Sequence, residues 1–154
     1  MRVVDVLTGE HGVFHFLVEQ LDDAVGHCTT LVELRAAAAP MAIALLGHAR
    51  IEEATLFAPL ERELGLGTTG PLHCLREEHQ EMDRVVKAMF AQRELPALRA
   101  GVRELVELTR KHLGREETVL FAAANEALAV GRSEQLGAEW ARARGITGII
   151  RGGA

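Results

Sequence analysis

Two stretches of this chain read alike, and between them they fix how the rest can fold. His48-Ala49-Arg50-Ile51-Glu52-Glu53-Ala54-Thr55-Leu56-Phe57 is matched 64 residues later by His112-Leu113-Gly114-Arg115-Glu116-Glu117-Thr118-Val119-Leu120-Phe121, with His, Glu, Glu, Leu and Phe in the same places. On a helix, residues i and i+4 stand one above the other on one face. Each copy therefore offers an imidazole and a carboxylate to one point, as a chelating pair. A second repeat, Leu7-Thr8-Gly9-Glu10-His11, returns 68 residues later as Leu75-Arg76-Glu77-Glu78-His79. Four histidines and two glutamates are thus divided between two similar halves.

The flanking periodicity is helical throughout. The spacing predicts a first helix from Asp5 to Val25 with a seam at Leu7, His11, Phe14, Val18, Leu21 and Val25, ended by Gly26. Thr30 and Glu33 form a capping box that opens a second helix, whose seam is Leu34, Ala38, Met41, Leu45, His48, Glu52 and Leu56. Pro40 is expected to kink it and to make residues 30–39 a separate short helix. Gly65 to Gly70 reads as a loop. Pro71 suits the first turn of a third helix, with Leu72, Leu75, His79, Met82, Val86 and Met89 on its seam. A fourth runs from Pro96 to Ala127 with Leu98, Gly101, Leu105, Leu108, His112, Glu116 and Val119 inward. Ser133 is expected to cap a short fifth helix carrying the lone tryptophan, Trp140.

Long amphipathic helices with short connections predict an all-α, up-down-up-down four-helix bundle over 1–130, with 131–154 as a C-terminal helix and tail packed on it. At 154 residues one domain suffices. The net charge of −5, with acidic and basic residues interspersed, gives no footprint for nucleic acid or an anionic membrane. No signal peptide is recognised, and no stretch approaches the roughly 18 uncharged apolar residues of a membrane span. A cytoplasmic location is the expectation. Cys28 and Cys74, without a CxxC, read as free buried thiols.

In such a bundle His11, His48, Glu52, His79, His112 and Glu116 all face one interior. An unpaired carboxylate there costs several kcal/mol, and two cost more. Any one of these residues alone reads as a satisfied core histidine or a solvated glutamate, but their joint placement on the seams points to metal. Two carboxylates and four imidazoles exceed the needs of one tetrahedral zinc and suit two metals. Glu52 and Glu116 are expected to bridge and the histidines to be terminal ligands. Donors without thiolate fit iron, manganese or zinc. His15 stands to His11 as Asp83 stands to His79, which makes both candidates for an extra terminal ligand. Glu53 and Glu117 are expected on the outer face or behind a ligand.

The pattern Glu10-His11, His48-xxx-Glu52, Glu78-His79 and His112-xxx-Glu116 resembles the hemerythrin family, in particular bacterial hemerythrin-like proteins with an HHE-type cation-binding domain. The resemblance covers about four fifths of the chain. It implies a carboxylate-bridged non-haem di-iron centre, its two irons (Fe2+/Fe3+) oxo- or hydroxo-bridged, reactive toward dioxygen, nitric oxide or peroxide. The chain departs from the oxygen-carrying hemerythrins in two places. Asp83 stands where they have a second histidine on helix 3, and Glu116 follows His112 by four residues where they have an aspartate at five.

The expected function is therefore a di-iron protein that binds or reduces a small diatomic or peroxide ligand, acting as a monomer or small homo-oligomer. The site would be dried by Phe14, Leu45, Met82 and Leu108. The alternative is a non-catalytic iron or oxygen sensor that acts through a protein partner. Iron storage would need an oligomeric shell. No nucleophile, phosphate loop or organic-cofactor motif is present in the sequence.

Overall fold

A computed structural model describes residues 1–64 and 70–146. The expected tail beyond Ile146 and most of the Gly65–Gly70 loop lie outside the described residues. The described chain is all-α, with no strand among those residues. It runs α1 (Val3–His27), α2 (Leu31–Glu52), a π-turn (Glu53–Phe57), α3 (Ala58–Leu64), α4 (Pro71–Ala91), α5 (Leu95–Arg115), a second π-turn (Glu116–Leu120), α6 (Phe121–Ala127) and α7 (Val130–Ala143). Because α3 and α6 continue α2 and α5 through the π-turns, the bundle has four long rods, with α7 laid against α1.

Local chemistry sets most boundaries. Thr30 accepts the Glu33 amide at 3.2 Å while the Glu33 carboxylate accepts the Thr30 amide at 3.1 Å, which is the expected capping box. Gly70 turns the chain at φ +100°, a left-handed conformation that favours glycine, and Pro71 follows at the first helical position. The first helix runs past Gly26 to His27, where the Cys28 amide closes it on Ala24. Pro40 does not divide α2. Ala38, Met41 and Ala42 on either side of it are all buried in the core, and this packing outweighs the one backbone hydrogen bond that proline removes. Ser133 is not a cap either, since α7 already begins at Val130 and Ser133 is buried within it.

The apolar core is in two parts. One holds Phe14, Val18, Leu45, Met82, Leu105 and their neighbours; the other holds Leu7, Leu56, Phe57, Leu75, Leu120 and Phe121, joined by Leu136 and Trp140 of α7. The six polar seam residues lie along the rods between these two clusters. Leu108 is only half-buried, and Thr109 takes the inward position, its hydroxyl donating to the Leu105 carbonyl at 2.7 Å. Neither thiol is buried as expected: Cys28, in the extended residue that follows α1, is half-buried, and Cys74, on the outer side of the first turn of α4, is exposed.

By length and composition alone, the rod Leu31–Glu63 contains an 18-residue window, of mean hydropathy 1.3, apolar enough to cross a membrane, a test that the core helix of a bundle also passes. In the fold this segment is a bundle rod, and it carries His48 and Glu52 inward.

Candidate metal centre

One π-turn begins directly after Glu52, the last residue of α2, and the other begins at Glu116 itself, directly after α5 ends at Arg115. The amide of Ala58 reaches back five residues to Glu53, and that of Phe121 reaches back five to Glu116. The extra residue per turn shifts the helical phase, so that in each copy a leucine and the following phenylalanine turn inward: Leu56 with Phe57, and Leu120 with Phe121. Val119, expected on the seam, is consequently 45% exposed and Leu120 replaces it. Thr55 and Thr118 donate to the carbonyls of Ile51 and Gly114, at 2.8 and 2.7 Å, giving those turns a side-chain partner.

His11, His48, Glu52, His79, His112 and Glu116 are all at most 5% exposed and converge on one point in the bundle. They form two donor groups, His11/His48/Glu52/Glu116 and Glu52/His79/His112/Glu116, in each of which one ligating atom per residue lies within 4.8 Å of every other. The two glutamates belong to both groups. That sharing is what two adjacent cations bridged by carboxylates require.

The four histidines are held from behind by a ring of other glutamates. Glu10 faces Nδ1 of His48 at 3.1 Å, Glu53 that of His79 at 2.8 Å, Glu78 that of His112 at 3.1 Å, and Glu117 that of His11 at 3.0 Å. Each rod thus presents, next to its own inward ligand, a carboxylate to the histidine of the next rod, and the fourth closes on the first. A carboxylate accepts, so a proton sits on each Nδ1, and Nε2 is left as the inward nitrogen of each ring, free to offer its lone pair once it carries no proton. The sequence indicated this role for Glu53 and Glu117 only in outline. Glu10 and Glu78 carried a signal as well, in the repeated Glu-His pair, but their partners lie on another helix.

The interior is a poor fit for the protein alone. Nε2 of His11 and His48 and both carboxylate oxygens of Glu52 and Glu116 are buried without a hydrogen-bond partner among the described residues. Nε2 of His79 and Nε2 of His112 face each other at 3.0 Å. Burial opposes charge on His112, but Glu116 and Glu78 outweigh it and push its pKa up to about 9. Burial and the Glu116 charge push Glu52 well above the usual carboxylate range. For Glu116, burial is overcome by His11 and His112, which hold it low. Orphaned acceptors, inward-facing Nε2 atoms and a glutamate pair common to both groups form a donor set that could hold metal ions.

His15 and Asp83 are not brought to this point. His15 is half-exposed and binds Glu117 at 2.9 Å, behind His11. Asp83 pairs with Lys87 at 2.5 Å and lines a surface cleft of about 310 Å³, together with Arg50 and Glu53, that reaches His79. One helical turn beyond His11 or His79, each side chain has rotated towards the rim rather than the core. Their difference leaves the halves unequal, with Glu117 held by His15 and Glu53 facing the cleft. Phenylalanine rings dry the site. Phe57 stacks on His79 at 5.4 Å between centroids, Phe121 lies 4.9 Å from His11, and Phe14 lies 5.0 Å from His48.

The sequence profile described as Hemerythrin HHE cation binding domain matches residues 2–124, which include all six converging side chains. The chain belongs to this family. A DNA nickase from Nostoc sp. (strain PCC 7120) is 31% identical over 101 residues, 65% of the present chain. The chain spans only 28% of the length of that relative. No solved structure matches the chain. Membership of the HHE family accords with the cation-binding donor set, and α7 lies beyond the residues that the family profile covers.

Proposed function

We propose that this HHE domain is a non-haem di-iron protein that binds or reduces dioxygen, peroxide or nitric oxide. The reading rests on one observation above the others: two four-residue donor groups share Glu52 and Glu116 inside a bundle otherwise lined by apolar side chains. Glu52 and Glu116 would bridge two irons, with His11 and His48 on one and His79 and His112 on the other. An iron pair held there supplies one-electron redox chemistry and positions for a small ligand.

The chain's own residues do the remainder. The ring of Glu10, Glu53, Glu78 and Glu117 holds the Nδ1 protons and fixes the imidazole planes. Phe14, Phe57 and Phe121 exclude water and favour a neutral diatomic over a charged substrate. The cleft beside His79 offers a way in that only a small molecule could use, since His79 itself is 5% exposed.

A second reading, a metal- or oxygen-responsive module acting through a protein partner, draws on the orphaned buried groups. Metal binding would supply much of the folding free energy, so removal of metal by chelation should loosen the bundle by circular dichroism. A catalytic scaffold would keep its ellipticity. DNA cleavage is not carried over from the Nostoc relative, because a chain of net charge −5 disfavours a polyanion.

The deciding experiment is metal content and the near-ultraviolet and visible spectrum of protein from iron-supplemented cells, before and after hydrogen peroxide. About two irons per chain with charge-transfer bands that respond to peroxide is the expected result. Zinc alone under those conditions, or no metal, overturns the redox reading.

A further inference from the structure

Glu10 is the member of the carboxylate ring that the bundle does not hold by itself. Its Oε2 accepts Nδ1–H of His48 at 3.1 Å and the indole N–H of Trp140 at 2.8 Å, while Arg144 pairs with Oε1. Both added donors come from the C-terminal helix or its cap. By the internal repeat Glu78 is its counterpart, and there the cation is Arg115, on the same rod as His112. The half containing His11 and His48 is therefore wired to a helix outside the family's matched residues, whereas the other half is wired within the bundle.

The attachment of α7 is built to fix these two side chains. Gly137 brings the helix backbone against the start of α1, where an added Cβ would fall 2.4 Å from the Met1 carbonyl oxygen. Leu136, Trp140 and Ala141 are buried in the second core cluster. The helix ends in a Schellman motif: Ile146 N–H bonds Ala141 O at 2.8 Å, Gly145 N–H bonds Arg142 O at 3.0 Å, and Gly145 has φ +72°. That cap places Arg144 over Gly47, with Nη1 3.7 Å from where a Cβ would stand. A larger residue at position 47 would crowd the guanidinium.

We propose that Trp140 and Arg144 are positioning residues that act through Glu10 on His48, so that the C-terminal helix sets the metal affinity of the His11/His48 half-site independently of the other. The proposal rests on the dinuclear reading given above. A carboxylate held by three donors from two helices has one orientation, and it fixes the imidazole plane that the metal meets. Partners behind a ligand commonly change metal affinity by about 10- to 100-fold. One step further out, about tenfold is the expected scale.

The test is stepwise Co2+ titration of the full-length metal-free protein, read by visible absorbance, with circular dichroism to establish folding of every variant. Wild type should take two equivalents; failure to do so overturns the dinuclear reading itself, and the inference with it. Trp140→Phe and Arg144→Gln should each weaken one equivalent by about tenfold and leave the other unchanged. Arg115→Gln should weaken the other equivalent, and its combination with Trp140→Phe should weaken both.

The decisive arm is the Glu10→Gln background, where Trp140→Phe and Arg144→Gln should add nothing, because their route to His48 has been removed. In the Co2+ form, selective labelling of histidine should also show faster solvent exchange of the His48 Nδ1–H in Trp140→Phe. Equal weakening of both equivalents, an undiminished effect in the Glu10→Gln background, or unchanged titrations in both single variants would overturn the proposal. A merely structural role for α7 predicts the first two of these outcomes.

Discussion

Nδ1 of His79 lies 2.8 Å from Oε1 of Glu53, the glutamate immediately after the inward-facing Glu52 on the preceding rod. The same relation joins His11 to Glu117 at 3.0 Å, across the opposite seam. Adjacent glutamates in the sequence motif therefore have different tasks. The first of each pair enters the centre, and the second steadies an imidazole on another helix.

Glu52→Ala should cost far more metal than Glu53→Ala. Loss of Glu52 removes a donor common to both four-residue groups, so metal per chain should fall by at least half. Loss of Glu53 removes only the partner of His79 Nδ1, with about a 10- to 100-fold loss of affinity expected at one half-site. Metal analysis after dialysis against a weak chelator separates the two, and equal losses would contradict the register of α2.

His15→Ala and Asp83→Ala should retain two metals per chain, while His11→Ala and His79→Ala should not. His15 touches Glu117 rather than the centre, and Asp83 faces Lys87 and the cleft. Metal loss in Asp83→Ala as large as in His79→Ala would place Asp83 among the ligands.

The metal-free protein should lose stability as pH rises. His112 keeps its proton in the fold up to about pH 9 against an ordinary value of 6.5. Its contribution is complete below pH 6.5 and is lost progressively as pH climbs through 9, an amount on the order of 3 kcal/mol. Glu52, also raised, has the same sign. His48 and His79, which burial pushes down, act oppositely, with stability lost as pH falls below 6.5. Urea midpoints of metal-free protein should therefore peak near pH 6.5 and fall towards pH 9. The loaded protein should lack the alkaline decline, because metal takes the place of the His112 proton.

Gly137→Ala should detach α7 without touching the centre directly. The new methyl would stand 2.4 Å from the Met1 carbonyl oxygen and 3.2 Å from the Val3 amide, both of them backbone atoms that cannot swing aside. A cost of about 1–3 kcal/mol is expected, with a red shift of Trp140 fluorescence as its ring leaves the core. Unchanged stability and emission would mean that the N-terminal residues yield.

The sequence by itself determined the rods and the identity of the donors. Helical spacing alone places His48 above Glu52 and His112 above Glu116, and the seams through Leu7, His11 and Phe14 or Leu75, His79 and Met82 leave only one interior for them to share. Tertiary structure decided what a local period cannot express. The π-turns move the buried position from Val119 to Leu120 and bring Phe57 and Phe121 against histidines of other rods, a phase change that a regular 3.6-residue period hides. Packing keeps α2 whole across Pro40 and turns His15 and Asp83 to the rim. The partners of Glu10 lie 38, 130 and 134 positions away in the chain, and only the docking of α7 could bring Trp140 and Arg144 to the carboxylate behind His48.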